Sequence, residues 1–251
     1  MSTELSRRLV ILSGPSCVGK SPLEKALAKF HPELRLALRK LVLYNSRAPR
    51  PGEQEGVDYH FRTRPQIEAL RAESRYTLLD VRGDLQALDL EALRALLKES
   101  NAFFEGNPFV GRVLLTHPGL AGIHRLSIFL SPISKEEVIY LKAPERNVWL
   151  PDLVAEIMRR KLLRRTRRQK LELSAKDLEN IEGRATSAYR ELKEAWHFDY
   201  VIPNHDGEES DNWEAFYYPI GEARRALSAF AGLLEGVVSP HLEKWEEDLI
   251  P

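Results

Sequence analysis

Eight consecutive residues, Gly14-Pro15-Ser16-Cys17-Val18-Gly19-Lys20-Ser21, put two glycines, a lysine and a hydroxyl at the spacing G-x-x-x-x-G-K-[ST]. The apolar run Leu9 to Leu12 stands before them, and Leu23, Ala26, Leu27 and Phe30 follow at helical spacing, so the motif lies between a predicted strand and a predicted helix. Gly14 and Gly19 allow a close backbone approach that a Cβ would block, which turns successive N–H groups, those of Ser16 and Val18 included, toward phosphate oxygens. A helix starting here aims its positive end at the same anion. Lys20 would then set a mobile cation near the β and γ phosphates of a bound polyphosphate, and the Ser21 hydroxyl would lie in reach of Mg²⁺. Pro22 suits a first helical turn. A glycine-containing turn with an exposed lysine is the plainer reading, and the full spacing in its strand-to-helix context outweighs it. Cys17, the single cysteine, is read as a small loop-filling residue rather than a reactive thiol.

A second group follows in "NSRAPRPGEQEGVDYHF", Asn45 to Phe61. Arg47 and Arg50 stand three residues apart on a proline-stiffened loop, each with a planar fork of donors, and the Tyr59 hydroxyl adds a third donor. These suit a phosphate monoester.

The rest of the chain must position these groups. Its 251 residues suffice for a substantial core. Thirty-seven basic residues balance 37 acidic ones, so no global field draws in nucleic acid or a membrane and any electrostatic recognition is local. A single cysteine excludes an internal disulfide framework. The start, MSTELSRR, lacks an apolar signal segment and no run approaches the roughly 18 apolar residues of a spanning helix, so a soluble cytoplasmic protein is expected. The seven histidines show no metal-ligand spacing.

Strand and helix signals alternate. A helix is predicted over 22–30, loop or short strands over 44–59, a strand over 76–81, a helix over 88–100 and a buried strand over 102–106. "EEVIYLKAP" (136–144) reads as a strand, helices are predicted over 154–168 and 175–194, and 199–204 reads as the last core strand. Short apolar strands between helices predict an α/β fold with a largely parallel, helix-covered sheet and ligands at the strands' carboxyl ends.

GPSCVGKS and SRAPRPGEQEGVDYHF are similar to GPSGxGKS and TTRxPRxGExxGxDYxF of the guanylate kinase family, and ENIEGRATSAYREL (179–192) and FDYVIPN (198–204) resemble its later segments. The resemblance covers most of residues 8–206. It implies a P-loop NTPase fold with acceptor-binding (about 41–89) and lid (about 151–184) insertions, followed by a C-terminal helical extension over 207–251. It further implies transfer of the γ-phosphate of ATP to GMP with Mg²⁺, Arg47, Arg50 and Tyr59 as ligands of the acceptor phosphate, and Asn204 on the adenine side. Lid arginines would neutralise the transferring group. The run "RRKLLRRTRRQK", Arg159 to Lys170, holds eight cations, and Arg160, Arg164, Arg167 and Arg168 can share a helical face. Arg164, Arg168 and Arg184 are the lid candidates, Arg184 through its ENIEGR context. A solvated basic face is the plain alternative, and the absence of interleaved aromatics argues against RNA.

The departures bear on the acceptor. The family's F-x-G-x-Y-Y-G segment is replaced by YTLLDVRGDLQALDL, so a carboxylate reading guanine would come from Asp80, Asp84 or Glu105. Asp80 and Asp84 are equally well read as turn and strand-end carboxylates. A non-guanine acceptor such as a sugar phosphate or another nucleotide, a non-catalytic binding module of the same fold, and an RNA-end kinase stay open. Where the family strand ends in L-x-D-x-D, this chain has Glu105 and Asn107; with Ser21, Glu105 is the candidate Mg²⁺ ligand. Past Asp206, Ala223, Leu227, Phe230, Leu234 and Val237 lie near one side of an amphipathic helix, which docks on the parent core or, as the sharper alternative, on a second copy of the chain.

Overall fold

The computed structural model describes residues 7–50 and 52–251, so the reading of the first six residues and of Pro51 lies outside it. In chain order the elements begin with β1 (Leu9–Ser13), α1 (Lys20–Phe30), α2 (Pro32–Leu36), β2 (Leu38–Lys40), β3 (Leu43–Asn45), β4 (Tyr59–Phe61), α3 (Arg64–Ala69), β5 (Tyr76–Val81) and β6 (Asp84–Asp89). There follow α4 (Leu90–Glu99), β7 (Asn101–Gly106), α5 (Pro108–Thr116), β8 (Arg125–Ser131), α6 (Lys135–Lys142), α7 (Leu150–Gln169), α8 (Ala175–Leu192), β9 (Tyr200–Pro203) and α9 (Gly221–Glu235). One sheet has the order β2-β7-β1-β8-β9 and the other β4-β3-β6-β5. In the first, β2 runs parallel to β7 and β8 parallel to β9. Every residue of β1 is buried, as a central strand covered on both faces requires.

The chain divides into two compact units. The first holds the chain up to Ile11, Ala37–Glu105 and Phe109–Leu126. Its four-stranded sheet is mixed: β3 pairs parallel with β4 and antiparallel with β6, and β5 with β6 form a hairpin registered from Tyr76 opposite Asp89 to Val81 opposite Asp84. The hairpin turns on Arg82 and Gly83, both at positive φ, which fits the right-handed twist of the strands. Ile67, Leu85 and Ala87 form a small core with Tyr44, Leu70 and Leu78 against it. The helix predicted to begin at Leu88 begins at Leu90, because the Asp89 carboxylate caps it by accepting from the N–H groups of Glu91 and Ala92.

The second unit holds Leu12–Leu36, Gly106–Pro108 and Ser127–Pro251. Here one expectation fails. Residues 136–144 are not a strand; α6 occupies them, opened by a capping box in which Ser134 and Glu137 bond each other's backbone N–H. The strand is β8, buried from Leu126 onward. The apolar cluster Val138-Ile139-Tyr140-Leu141 suggested β structure, but only Val138 points inward, and Ile139 and Tyr140 are exposed. α5, opened by Pro108, also carried no reading. Helices α7 and α8 pack on each other. Within α9, Ala223, Leu227 and Phe230 are buried and the helix packs on α1 and β9, as the docking alternative expects. Val237 falls outside the stripe: Gly236 ends the helix in the left-handed region and Val237 is exposed.

No helix among the described residues is long and apolar enough to cross a membrane.

Candidate active site

The phosphate loop turns out of β1 as its sequence requires. Gly14 has φ +152, and a Cβ there would stand 2.3 Å from the carbonyl oxygen of Leu130 on β8. At Gly19, φ +106, it would stand 2.5 Å from the amide nitrogen of Asn204. Both positions therefore exclude a side chain on sterics and conformation together. Lys20, the first residue of α1, is buried, and its Nζ donates to the carbonyls of Gly14 and Pro15, 2.8 Å each, which fixes the ammonium within the curve of the loop. Ser21 is exposed at the start of the helix. Asn204, following β9, is fully buried, and its amide donates 2.7 Å to the Val18 carbonyl. Its side chain braces the loop. The Cys17 thiol is buried and pushed up to about 12, chiefly by burial and then by Glu208, so it stays protonated and unreactive.

Of the lid candidates, Arg184 reaches the loop. Its Nε donates to Ser16 Oγ at 3.1 Å. Arg164 and Arg168 point elsewhere: Arg164 is exposed, and Arg168 pairs at 3.0 Å with Asp211 at an exposed position. The reason is helical phase. Val154, Met158, Leu162 and Thr166 form the buried ridge of α7, and Arg164 lies about 200° around the helix from Leu162 at ~100° per residue. The face shared by Arg160, Arg164, Arg167 and Arg168 is thus the solvent face. Beside the ridge stand Lys161, whose side chain runs against Gly207, and Arg165. Arg165 pairs at 2.9 Å with Glu208, whose N–H donates to the Cys17 carbonyl. The four-residue apolar spacing sets this phase, which the density of basic residues along the helix does not show.

In the first unit the acceptor loop gathers its predicted residues around one that carried no reading. Arg47 directs both terminal nitrogens at Glu53, 2.6 and 2.7 Å, and Glu53 also accepts from the N–H of Arg50 at 2.7 Å. Burial works against the charge on both partners, and their mutual pairing raises Arg47 and lowers Glu53. The Arg47 guanidinium lies 5.1 Å from the centre of the Tyr59 ring and 5.7 Å from that of Phe61. The Tyr59 hydroxyl is pushed up by burial, opposed by Arg47 and Arg50 and reinforced by Glu53 and Glu105. Asp84 also favours the charged form of Arg47. Asp80 does not join them: its carboxylate accepts from the Gly83 N–H at 2.9 Å and closes the hairpin turn, near Arg64. Tyr44 meets Tyr76 edge to face and the His60 ring at 4.9 Å.

At the end of β7, Asn107 donates 3.1 Å to the fully buried carboxylate of Glu191 on α8, which Ser187 also bonds at 2.7 Å. Glu191 holds the Asn107 amide in one orientation. Cys17, Glu208 and Glu209 bring three ligand-type atoms within 4.8 Å of one another, but Arg165 pairs with this group and repels a metal cation.

A parallel sheet with helices, entered through a glycine-lysine loop at the end of a buried strand, defines a P-loop NTPase fold of the nucleotide-kinase type. A family model described as guanylate kinase matches residues 6–80. A guanylate kinase of Synechococcus sp. is 32% identical over 222 residues, 84% of this chain and 82% of that protein. A guanylate kinase of Nitratidesulfovibrio vulgaris is 29% identical over 239 residues, 94% of this chain and 99% of that protein. Among solved structures, the guanylate kinase of Anaplasma phagocytophilum matches the fold with a TM-score of 0.54 at 18% identity, covering 92% of this chain and 86% of that one. With its loop, its arginine clamp and this similarity along most of its length, the chain belongs to the guanylate kinase family.

Proposed function

We propose that this chain transfers the γ-phosphoryl group of ATP to GMP. The observation that carries the reading is the convergence of cations on a backbone-built phosphate loop: Lys20 fixed over the Gly14 and Pro15 carbonyls and Arg184 bonded to Ser16. The loop amides and Lys20 would hold the β and γ phosphates, with Arg184 neutralising charge as it spreads onto the transferring group. Arg47, Arg50 and Tyr59 would hold the GMP phosphate, the first kept in place by Glu53 and the aromatic rings. An oxygen of that phosphate attacks the γ-phosphorus, the bond from phosphorus to the β–γ bridging oxygen breaks, and ADP and GDP leave. No strong base is needed, since the attacking oxygen is already anionic and the work is positioning and charge neutralisation.

Ser21, exposed at the start of α1, is the proposed Mg²⁺ ligand on the phosphate loop; its hydroxyl offers the hard oxygen that this ion takes, and bound Mg²⁺ neutralises phosphate charge. Asp84, acting on Arg47, is the proposed carboxylate for the N1 and N2 donors of guanine, since Asp80 is committed to the turn.

The test is ADP release from ATP and Mg²⁺ against a panel of nucleoside monophosphates and sugar phosphates, with Lys20→Ala alongside. GMP is expected to turn over fastest. Lys20→Ala is expected to lower kcat by about a thousandfold or more with an unchanged circular dichroism spectrum. Near-normal turnover by that variant, or faster turnover of a non-guanine acceptor, would overturn the assignment.

A further inference from the structure

The segment after β9 lies on the phosphate loop and is built to stay there. The Glu208 N–H donates 3.3 Å to the carbonyl of Cys17, inside the loop, and a Cβ on Gly207 would stand 2.8 Å from that same oxygen, so only glycine allows the approach. The buried indole of Trp213 donates to the Asp206 and Gly207 carbonyls, 3.2 and 3.0 Å. The Asp206 carboxylate accepts from Ser210, Asn212 and the N–H of Ala223 in the first turns of α9. This strap carries four carboxylates, at 206, 208, 209 and 211, and two of them clip α7: Glu208 takes Arg165, and Asp211 takes Arg168.

Glu208 has the closest relation to the loop. Its Oε2 lies 2.9 Å from Arg165 and 3.8 Å from the Cys17 sulfur. Burial alone would raise its carboxyl; Arg165, with Lys20 and Arg184 beyond it, outweighs burial and holds it ionised. Lys20 and Arg184 are the cations assigned above to the triphosphate. The pair that geometry fixes is Glu208 with Arg165, held against the loop by the Glu208 N–H on the Cys17 carbonyl, so a carboxylate takes up a cation that a nucleotide phosphate would otherwise attract.

We propose that Glu208 is a built-in competitor for the triphosphate: its carboxylate neutralises Arg165 at the phosphate loop, and ATP must displace it before the lid cations can turn to the nucleotide. The strap thereby sets ATP affinity and couples nucleotide binding to release of α7 from the Glu208 contact. This rests on the reading of Gly14 to Ser21 as the ATP site.

The experiment is calorimetric titration of the full chain with Mg²⁺-ATP and, separately, with inorganic pyrophosphate, for wild type, Glu208→Gln and Glu208→Ser. Two replacements guard against a local packing fault in either. Removing one charge-assisted contact is expected to tighten both ligands about tenfold. Unchanged affinity overturns the proposal, and weakened affinity overturns it in favour of Glu208 positioning Arg165 for the nucleotide. Wild type that binds pyrophosphate but not Mg²⁺-ATP would remove the kinase reading, while tightening of pyrophosphate in the variants would still support competition. Absence of binding in all three proteins would overturn both.

Discussion

The phosphate loop and the acceptor loop, both proposed above to take phosphate, are made from opposite materials. Around Gly14 to Ser21 the proposed binding groups are backbone amides, in a loop buried from Gly14 to Lys20 and packed against Leu130 and Asn204. Around Arg47 to Tyr59 they are side chains on a half-exposed loop, held by the Glu53 carboxylate and by ring faces. A backbone site has no adjustable part, so damage to it is total. A side-chain site is an assembly of separate contributions and loses function in steps.

The sharpest break in that contrast is Gly14→Ala. The added carbon meets a backbone oxygen at 2.3 Å, at a φ that L-residues rarely adopt. Overlap and strain at about 1–3 kcal/mol each amount to a large part of a domain's whole stability. Loss of measurable ATP binding is expected, with a depressed thermal midpoint; a variant that binds ATP normally would show that the loop has slack. In the acceptor loop, Arg47→Ala is expected to raise KM for GMP about 10- to 100-fold with a smaller change in KM for ATP. Glu53→Gln should reproduce a fraction of that effect, since it loosens the guanidinium without removing it. Equal effects of the two would mean that Glu53 itself reaches the nucleotide.

The strap offers a measurement on pH. Glu209 is 9% exposed, and burial, then the neighbouring Glu208, push its carboxyl up to about 7. An unfolded glutamate titrates near ~4.3, so between these values the folded chain holds more protons than the unfolded one and stability falls as pH rises. Glu209→Gln removes the ionisation. Relative to wild type it should gain ~2–3 kcal/mol more at pH 8 than at pH 5 by denaturant unfolding. Lys161, pushed down to about 8 by burial, slopes the other way above that value, which is why the comparison stops at pH 8. A constant difference between the two proteins would show that Glu209 ionises freely.

How much of this was legible follows the same contrast. The phosphate loop was readable because its backbone dictates its residues: the glycines, the lysine and the preceding apolar run each answer a local requirement. That Arg47, Arg50 and Tyr59 gather on one loop was readable from types and spacing, but Glu53 was missed, since nothing local says which acidic residue a guanidinium folds back on. β8 and α6 were confused because Val138 to Leu141 favours a strand by composition, whereas the Ser134–Glu137 capping box decides for a helix. β6 was not foreseen; it exists through pairing with β3 and β5, a tertiary condition. The strap lies past the recognised motifs, and its partner on α7 is fixed only by packing.

The smallest expected effect tests whether helical phase or local charge governs the lid. Arg164 and Arg165 are adjacent, identical in type and within one basic run, so any account based on charge alone treats them alike. They differ by about 100° on α7: Arg165 flanks the buried ridge and meets Glu208, while Arg164 faces solvent. An exposed arginine on a helix surface contributes within roughly 0.5 kcal/mol to stability, and its charge is screened over about 10 Å at ordinary salt. Arg164→Ala should therefore leave kcat/KM for ATP within about twofold of wild type, whereas Arg165→Ala should change it about tenfold or more by removing a cation from the phosphate loop. Steady-state kinetics with ATP varied at saturating GMP separates the two. If Arg164→Ala proved as damaging as Arg165→Ala, the lid would have to rotate α7 by a large angle during turnover, and the solvent face seen here would be the catalytic one.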